Sequence, residues 1–575
     1  MIPDPPPKLQ PGILPRRSYT ALPLLWAAVV LVLTLTPADE MPRTPVWELL
    51  SFDTAAHAGV FAVLAGLSWV SLRRRCLRSV SYVGLVVLGG SALFGSLIEV
   101  LQSTMRLGRH GEWTDLLSDT LGAALAVGAA TIWAGQRTRW SRLPVSAFWW
   151  VSGMVALSGS VAPARAQDLT RARRTIEKLA SPGLHGRGYV EQGEHQAAAY
   201  LRGRFRELGV QPLAPNFTQA FTLNVNTFPG ALQLALNDAA NALGSRLRPG
   251  QDFIAAPNSA SGRVEGRPLR LDSLVFTNPD TAAAWQRRLG VSSVPLLLTA
   301  RDQARLPTLP APLRQRIDSA AWLVLVPKLT ASLANEQAPR PRLEVLSSRW
   351  QAGGPVQGQV DARLRRNYQT QNLAALVRGT TQPDSFLIVS AHYDHLGTMG
   401  CQTYFPGAND NASGVALLLE LAAHYARPEN RPAYSVVFLL FGAEEAGLVG
   451  SSYFVAHPLV PLKNIKFLVN LDLLGTGEQG ATVVNGRLLE APYRRLVALN
   501  ETHHYLPALA ARGRAANSDH FPFSEAGVPA FFIYTRGGSA AYHDVNDRLG
   551  ALSLAGFAGA FGLVRDFLNG LGAAK

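Results

Sequence analysis

Histidine and carboxylate side chains stand at the ends of four apolar runs in the second half of the chain. His392 and Asp394 follow 386–391, Glu444 and Glu445 follow 435–441, Asp472 ends 467–471, and His543 lies in a loop after 530–534. Imidazole and carboxylate donors with no thiolate among them suit zinc or a similar divalent ion. The adjacent pair Glu444 and Glu445 points the same way. Two neighbouring carboxylates at the end of a buried strand repel and gain nothing from apolar surroundings. A cation removes the conflict: one carboxylate ligates, while the other stays free with a raised pKa and takes a proton from water. Asp410 adds a further carboxylate in the loop 407–414, where Pro406 and glycines bracket a polar run ahead of a helix. An isolated Asp at such a place is a common helix N-cap, but a polar loop between a His-ended strand and a helix is positioned for function.

The elements that would carry these groups can be read from the same pattern. The runs 386–391, 435–441, 467–471 and 530–534 are short and almost continuously apolar, as expected for strands covered on both faces. Helical stretches such as Gly414–Tyr425 separate them. The alternation predicts an α/β domain with a doubly wound mixed sheet. In open sheets of this type, sites form in the crevice beyond the carboxyl ends of the strands, which is where the four acidic and imidazole segments fall.

The motifs SAHYDH (390–395), GANDNASG (407–414), FGAEE (441–445), NLD (470–472), SDHFPF (518–523) and YH (542–543) resemble those of the co-catalytic zinc aminopeptidase family. That family includes secreted bacterial leucyl aminopeptidases and, more distantly, glutamate carboxypeptidases and glutaminyl cyclases. The resemblance covers about 170–570. It implies two Zn2+ per chain, with Asp410 bridging them, His392 and Asp472 completing one site, and Glu445 and His543 the other. It further implies Glu444 as general base, Asp394 orienting His392, Tyr542 steadying the oxyanion, and supporting roles for His395, Asp519 and His520. The expected activity is that of a metal-dependent exopeptidase acting on a peptide substrate, an aminopeptidase first. A carboxypeptidase or a single-zinc glutaminyl cyclase of the same fold is the alternative. A carboxypeptidase favours a bidentate arginine near the metals, and no Arg lies between Phe386 and Ala426, Arg536 and Arg548 being the nearest later candidates. Phe521, Phe523 and Tyr534 near the motifs suggest an uncharged first side chain.

The rest of the 575-residue chain has a different character. Apolar stretches at 19–37, 54–72, 79–101 and 116–135 are each near the length needed to cross a ~30 Å hydrocarbon layer. Arg16 and Arg17, the Arg73 to Arg78 cluster, and Arg137, Arg139 and Arg142 then fall on one side by the positive-inside bias. The region 137–167 has the anatomy of a signal peptide or a fifth span, ending in Ala164, Arg165 and Ala166. The expected organisation is therefore an all-α membrane domain (1–136), the signal-like segment (137–167), and a peptidase domain (168–575) with an inserted small lobe at about 225–365. The expected location is a bacterial inner membrane, with the lipid bilayer as partner and the catalytic domain outside. Asp53, His57, Glu99, Gln102, Arg109, Asp115 and Asp119 resemble the VanZ-like membrane family, with Asp119 where Asn is expected. This leaves a membrane resistance or envelope module, with the peptidase as accessory, as a second class of reading. The net charge of +14 invites nucleic acid, but the main basic cluster lies between apolar segments, so no nucleic-acid partner is expected. Two cysteines, Cys76 and Cys401, form no disulfide framework, and the sequence leaves the oligomeric state open. His424, His503 and His504 are expected to be surface residues.

Overall fold

The computed structural model describes residues 18–35, 52–75, 80–105, 113–136, 168–238, 241–289, 294–351 and 354–572. The chain divides into two units, Met1–Ala162 and Pro163–Lys575.

In the first unit the described residues form four helices, Ser18–Leu35, Phe52–Arg75, Val80–Met105 and Trp113–Gln136. Val30, Phe61, Leu64 and Ile98 make one small core, and Ala65, Trp69, Val83, Val87, Ala123 and Val127 another. The expectation of four to five membrane spans is not met: no helix among the described residues is long and apolar enough to cross a membrane. The first helix has 18 residues with Pro23 inside it, and at ~1.5 Å per residue it reaches about 27 Å, short of a ~30 Å hydrocarbon layer. The other three carry Asp53 and Arg73 to Arg75, Glu99 and Gln102, and Asp115 and Asp119 towards their ends. The inner-membrane placement and the bilayer as a partner fall with those spans. The segment 137–167 lies outside the described residues, as do the side chains of Asp53, His57, Glu99, Gln102, Arg109, Asp115 and Asp119.

The second unit is built on a nine-stranded mixed sheet. Its strands are β1 (Gln211–Pro212), β2 (Thr218–Thr227), β3 (Arg363–Val377), β4 (Gln382–His392), β5 (Tyr434–Phe441), β6 (Ile465–Leu471), β7 (Ala481–Val484), β8 (Leu509–Ala511) and β9 (Ala530–Thr535). The order is β1-β3-β5-β4-β6-β9-β7-β8, with β2 also on β3. The centre, β5-β4-β6-β9, is parallel, while β3 and β7 join it antiparallel.

Alternate residues of the central strands enter two cores. Leu387, Val389 and Ala391 of β4, with Val436, Phe438 and Leu440 of β5, pack beneath Leu169–Leu179, Gly414–Tyr425 and Phe557–Gly572. Ile388, Val437, Leu439 and Phe441 face the other way, towards Phe454 and Phe523. Burial on both faces explains why these strands read as unbroken apolar runs. Because β4 lies between β5 and β6, the chain reverses direction across the sheet beside β4, which opens a crevice at the carboxyl ends of these strands.

Between β2 and β3 the chain leaves the sheet to form two small ones. Asn241–Arg246, Leu232–Asp238, Val356–Val360 and Gly262–Gly266 make a four-stranded antiparallel sheet. Phe253–Ala255, Arg342–Leu346, Trp322–Val326, Leu296–Thr299 and Leu269–Arg270 make a five-stranded one. They enclose a core of their own, to which Leu396, Met399, Phe405 and Val545 of the main domain also contribute.

Candidate metal centre

The crevice gathers its side chains from the ends of β4, β5 and β6 and from the loops after Pro406 and after β9. His392, at the end of β4, is buried, and its Nε2 lies 3.3 Å from Asp410 Oδ1 and 3.3 Å from Asp472 Oδ1. The other oxygen of the same aspartate faces a second group: His543 Nε2 is 3.1 Å from Asp410 Oδ2 and 3.1 Å from Glu445 Oε2. Donor atoms bound at ~2.0–2.1 Å around a tetrahedral zinc lie about 3.3–3.4 Å apart, close to the imidazole-to-carboxylate distances of both clusters. Asp410 contributes one oxygen to each. The five residues singled out from the sequence as ligands thus lie together.

Asp394 is also here, beside the His392 ring. His392 Nδ1 is 3.2 Å from the Asp394 carbonyl and 3.9 Å from its carboxylate. That carboxylate instead accepts the Glu444 N–H at 3.1 Å and the Tyr189 hydroxyl at 3.2 Å. Glu444 is half-buried, and the donor atoms of His392, Glu444 and Glu445 fall within 4.8 Å of one another. Tyr542 is exposed, and its ring stacks on that of His543 at 4.0 Å. His395 comes closer than a supporting role suggested: its Nδ1 is 2.6 Å from Glu445 Oε1, and it shares a potential ligand group with Asp410 and Glu445. Asp519 and His520 are fully buried beside the crevice. Phe523 lies in the core against Phe441 and Phe454, while Phe521 and Tyr534 remain partly accessible.

Charge in the crevice is unevenly shared. Burial opposes ionisation of His392, but Asp472 and Glu444 outweigh it and raise its pKa well above the ordinary value. Burial likewise disfavours the His543 cation, yet Glu445 and Asp410 raise its pKa to about 11. Burial pushes Glu445 up, but His543 and His395 hold it down at about 2. Glu444 goes the other way, well above the usual carboxyl range, because burial is reinforced by Asp519, Glu445 and Asp472 against the pull of His392.

Several residues that build this arrangement gave no sequence signal. Arg187 is buried, and burial lowers its pKa to about 10. Its guanidinium donates to Tyr393 O at 2.8 Å, Leu179 O at 2.9 Å, Pro406 O at 2.7 Å, Gly407 O at 2.9 Å and Asp410 O at 3.0 Å. It thereby fastens the Asp410 loop to the chain just after β4. Gly407 sits in this grip with φ 59°, and a Cβ there would collide with Asp410 O and the guanidinium. From the opposite side the Asp547 carboxylate accepts the N–H groups of Asn409 at 2.8 Å and Asp410 at 3.0 Å. Asp472 is aimed by a relay: Ser390 donates to Asn470 at 2.8 Å, Asn470 to Ser518 at 2.8 Å, and Ser518 to Asp472 Oδ2 at 3.0 Å.

An α/β sheet with this crevice presents a donor set suited to a divalent metal ion, and comparison with known proteins narrows the reading. Residues 372–568 match the model of peptidase family M28, so the C-terminal part of the chain carries an M28-type peptidase domain. Aminopeptidase YwaD of Bacillus subtilis is 30% identical over 220 residues, covering 36% of this chain and 46% of that protein. A probable zinc metalloprotease of Pyricularia oryzae is 39% identical over 131 residues, covering 22% and 26%. The chain thus spans less than half the length of these curated relatives. In fold, a solved zinc aminopeptidase from Bacillus subtilis superposes with a TM-score of 0.53 at 19% identity, covering 72% of this chain and 96% of that one. An M28 peptidase precursor from Shewanella amazonensis also gives 0.53, at 15% identity.

Proposed function

We propose that this chain is an aminopeptidase that hydrolyses the amino-terminal bond of peptides with two zinc ions per chain. The observation that carries the reading is the division of Asp410, whose Oδ1 faces His392 and whose Oδ2 faces His543. The names of the relatives, aminopeptidase and zinc metalloprotease, support the same chemistry and metal. Bound there, the cations would polarise a water and the scissile carbonyl.

The remaining work falls to the chain's own side chains. Glu444, held at its backbone by Asp394, accepts the water proton on its carboxylate and delivers it to the departing amine nitrogen. Its raised pKa suits both transfers. Tyr542 stands beside His543 at the open edge, where its hydroxyl can donate to the developing oxyanion. His392 and Asp472 are fixed by the sheet, and His543 by its loop. The acidic crevice favours a substrate ammonium group over a carboxylate. Arg536 donates to Gln479 O, and Arg548 donates to Val545 O and lies over Tyr404, so both guanidinium groups are engaged within the protein.

The test is metal analysis of the full chain together with one peptide in three forms: free at both ends, acetylated at the amino end, or amidated at the carboxyl end. Two zinc ions are expected, with acetylation blocking cleavage and amidation leaving it intact. The reverse pattern of blocking overturns the aminopeptidase reading.

A further inference from the structure

The two halves of the metal centre rest on different foundations. His392 and Asp472 project from sheet strands, and the Ser390-Asn470-Ser518 relay that aims Asp472 lies within the main domain. His543 has no such strand beneath it. It stands in a loop with φ 53°, a left-handed conformation that an L-residue adopts at a cost unless its neighbours impose it.

The neighbour that imposes it belongs to the inserted lobe. Ala331 N–H donates to the His543 carbonyl at 3.0 Å, and the His543 ring nitrogen Nδ1 lies 2.9 Å from the Ala331 carbonyl. Residue 331 therefore fixes both the backbone and the ring, and a donor proton on Nδ1 leaves the Nε2 lone pair facing Asp410 and Glu445. The same segment holds the loop at two more points: Lys328 Nζ donates to Ala540 O at 3.2 Å and lies 3.8 Å from the Asp544 carboxylate. Val545, two residues beyond His543, is buried in the lobe's own apolar core with Leu329 and Ala331.

We propose that the lobe segment from Lys328 to Ala331 is the positioning element for His543, so that occupancy of the Asp410, Glu445 and His543 half of the metal centre is coupled to docking of the lobe. His392 and Asp472 are held instead by the sheet and by the relay within the main domain. The inference rests on the two-zinc reading above. Coupling of this kind is reciprocal: if the docked lobe tightens zinc binding, bound zinc tightens the lobe by the same factor.

The experiment uses the full chain, zinc alone as the probe, and competition against a chromophoric chelator. Ala331→Pro removes the donor to His543, and Lys328→Ala removes the second hold. Arg263→Ala, at an exposed position elsewhere on the lobe, is the reference. Freed from the Ala331 backbone bond, His543 should shift and its ring lose the Ala331 carbonyl, and loss of such an outer partner of a ligating histidine typically weakens metal binding roughly 10-fold to 100-fold. Ala331→Pro is expected to do this to one of the two zinc ions and leave the other unchanged, Lys328→Ala to weaken the same ion less, and Arg263→Ala to change neither. In the unaltered chain, zinc loading should slow amide hydrogen exchange at 328–334 but not in the strand Gly262–Gly266. Should Ala331→Pro fail to fold, Lys328→Ala and the exchange experiment decide. Two zinc ions bound with unaltered affinity by a folded variant, or loading that leaves exchange at 328–334 unmoved, overturn the coupling alone. A chain that binds no zinc overturns the two-zinc reading and the coupling with it.

Discussion

Replacing Arg187 by Lys keeps a cation at the same place and changes only how many hydrogen bonds it can donate. The guanidinium serves five main-chain carbonyls, whereas an ammonium has three N–H groups on one nitrogen. At least two buried carbonyls must lose their donor. A buried acceptor left unpaired costs about 1–3 kcal/mol, so the substitution should destabilise the domain by roughly 2–6 kcal/mol. The lower figure applies if the Asp410 loop relaxes to recover a partner. Urea unfolding of the full chain, followed by circular dichroism, gives the difference from the midpoint and slope. Since the five carbonyls include those of Gly407 and Asp410, zinc binding should weaken together with stability. An Arg187→Lys chain that unfolds within about 1 kcal/mol of the parent would show that the five contacts are not what holds the loop, and the argument would be refuted.

Two other expectations are more direct. Glu444→Gln removes a proton acceptor that is not needed as a ligand, so turnover should fall at least roughly 100-fold to 10,000-fold while metal analysis returns the parental zinc content; near-normal turnover would falsify the assignment. His424 is buried against Tyr425 and Phe561, accepts from Asn430 at Nδ1, and has its pKa lowered by burial and by Arg565 and Arg427 from 6.5 to about 4. Its neutral form is therefore favoured by folding, and the associated stability is complete above the unfolded value of 6.5 and lost as pH falls towards 4. The loss is up to roughly 3 kcal/mol at ~1.4 kcal/mol per unit. Thermal unfolding across that window should be flatter for His424→Gln, and parallel curves would contradict the argument.

The contrast between His424 and His392 shows what a sequence exposes. His392 follows a run that is apolar on both faces of a strand, so a polar residue at its end is conspicuous, and the same holds for Glu444, Glu445 and Asp472. His424, on the helix after the polar loop, was expected at the surface, whereas Phe561 of Phe557–Gly572 packs against it. Arg187 and Asp547 were invisible for another reason. They act on main-chain N–H and C=O groups, which every residue carries, so nothing in the partners' identities marks the contact. The lobe's hold on His543 is hidden in the same way, because Ala331 contributes only its backbone. At the other end of the chain the apolar stretches suggested helices, but a helix is not yet a membrane span, and no helix among the described residues is long and apolar enough to be one.

The distance in sequence between Arg187 and Asp547 sets an order of events during synthesis. Arg187 leaves the ribosome 223 positions before Asp410, whose carbonyl it will serve, and Asp547 follows Asn409 by a further 138. At ~5–20 residues per second, the Asp410 loop waits on the order of 10–30 s for its second anchor, and His543 arrives only just before that anchor. A nascent chain can therefore present the His392 and Asp472 pair, but not the paired centre. His543 and Asp547 are thus the last parts of the crevice to be made, delivered after most of the domain around them has had time to fold.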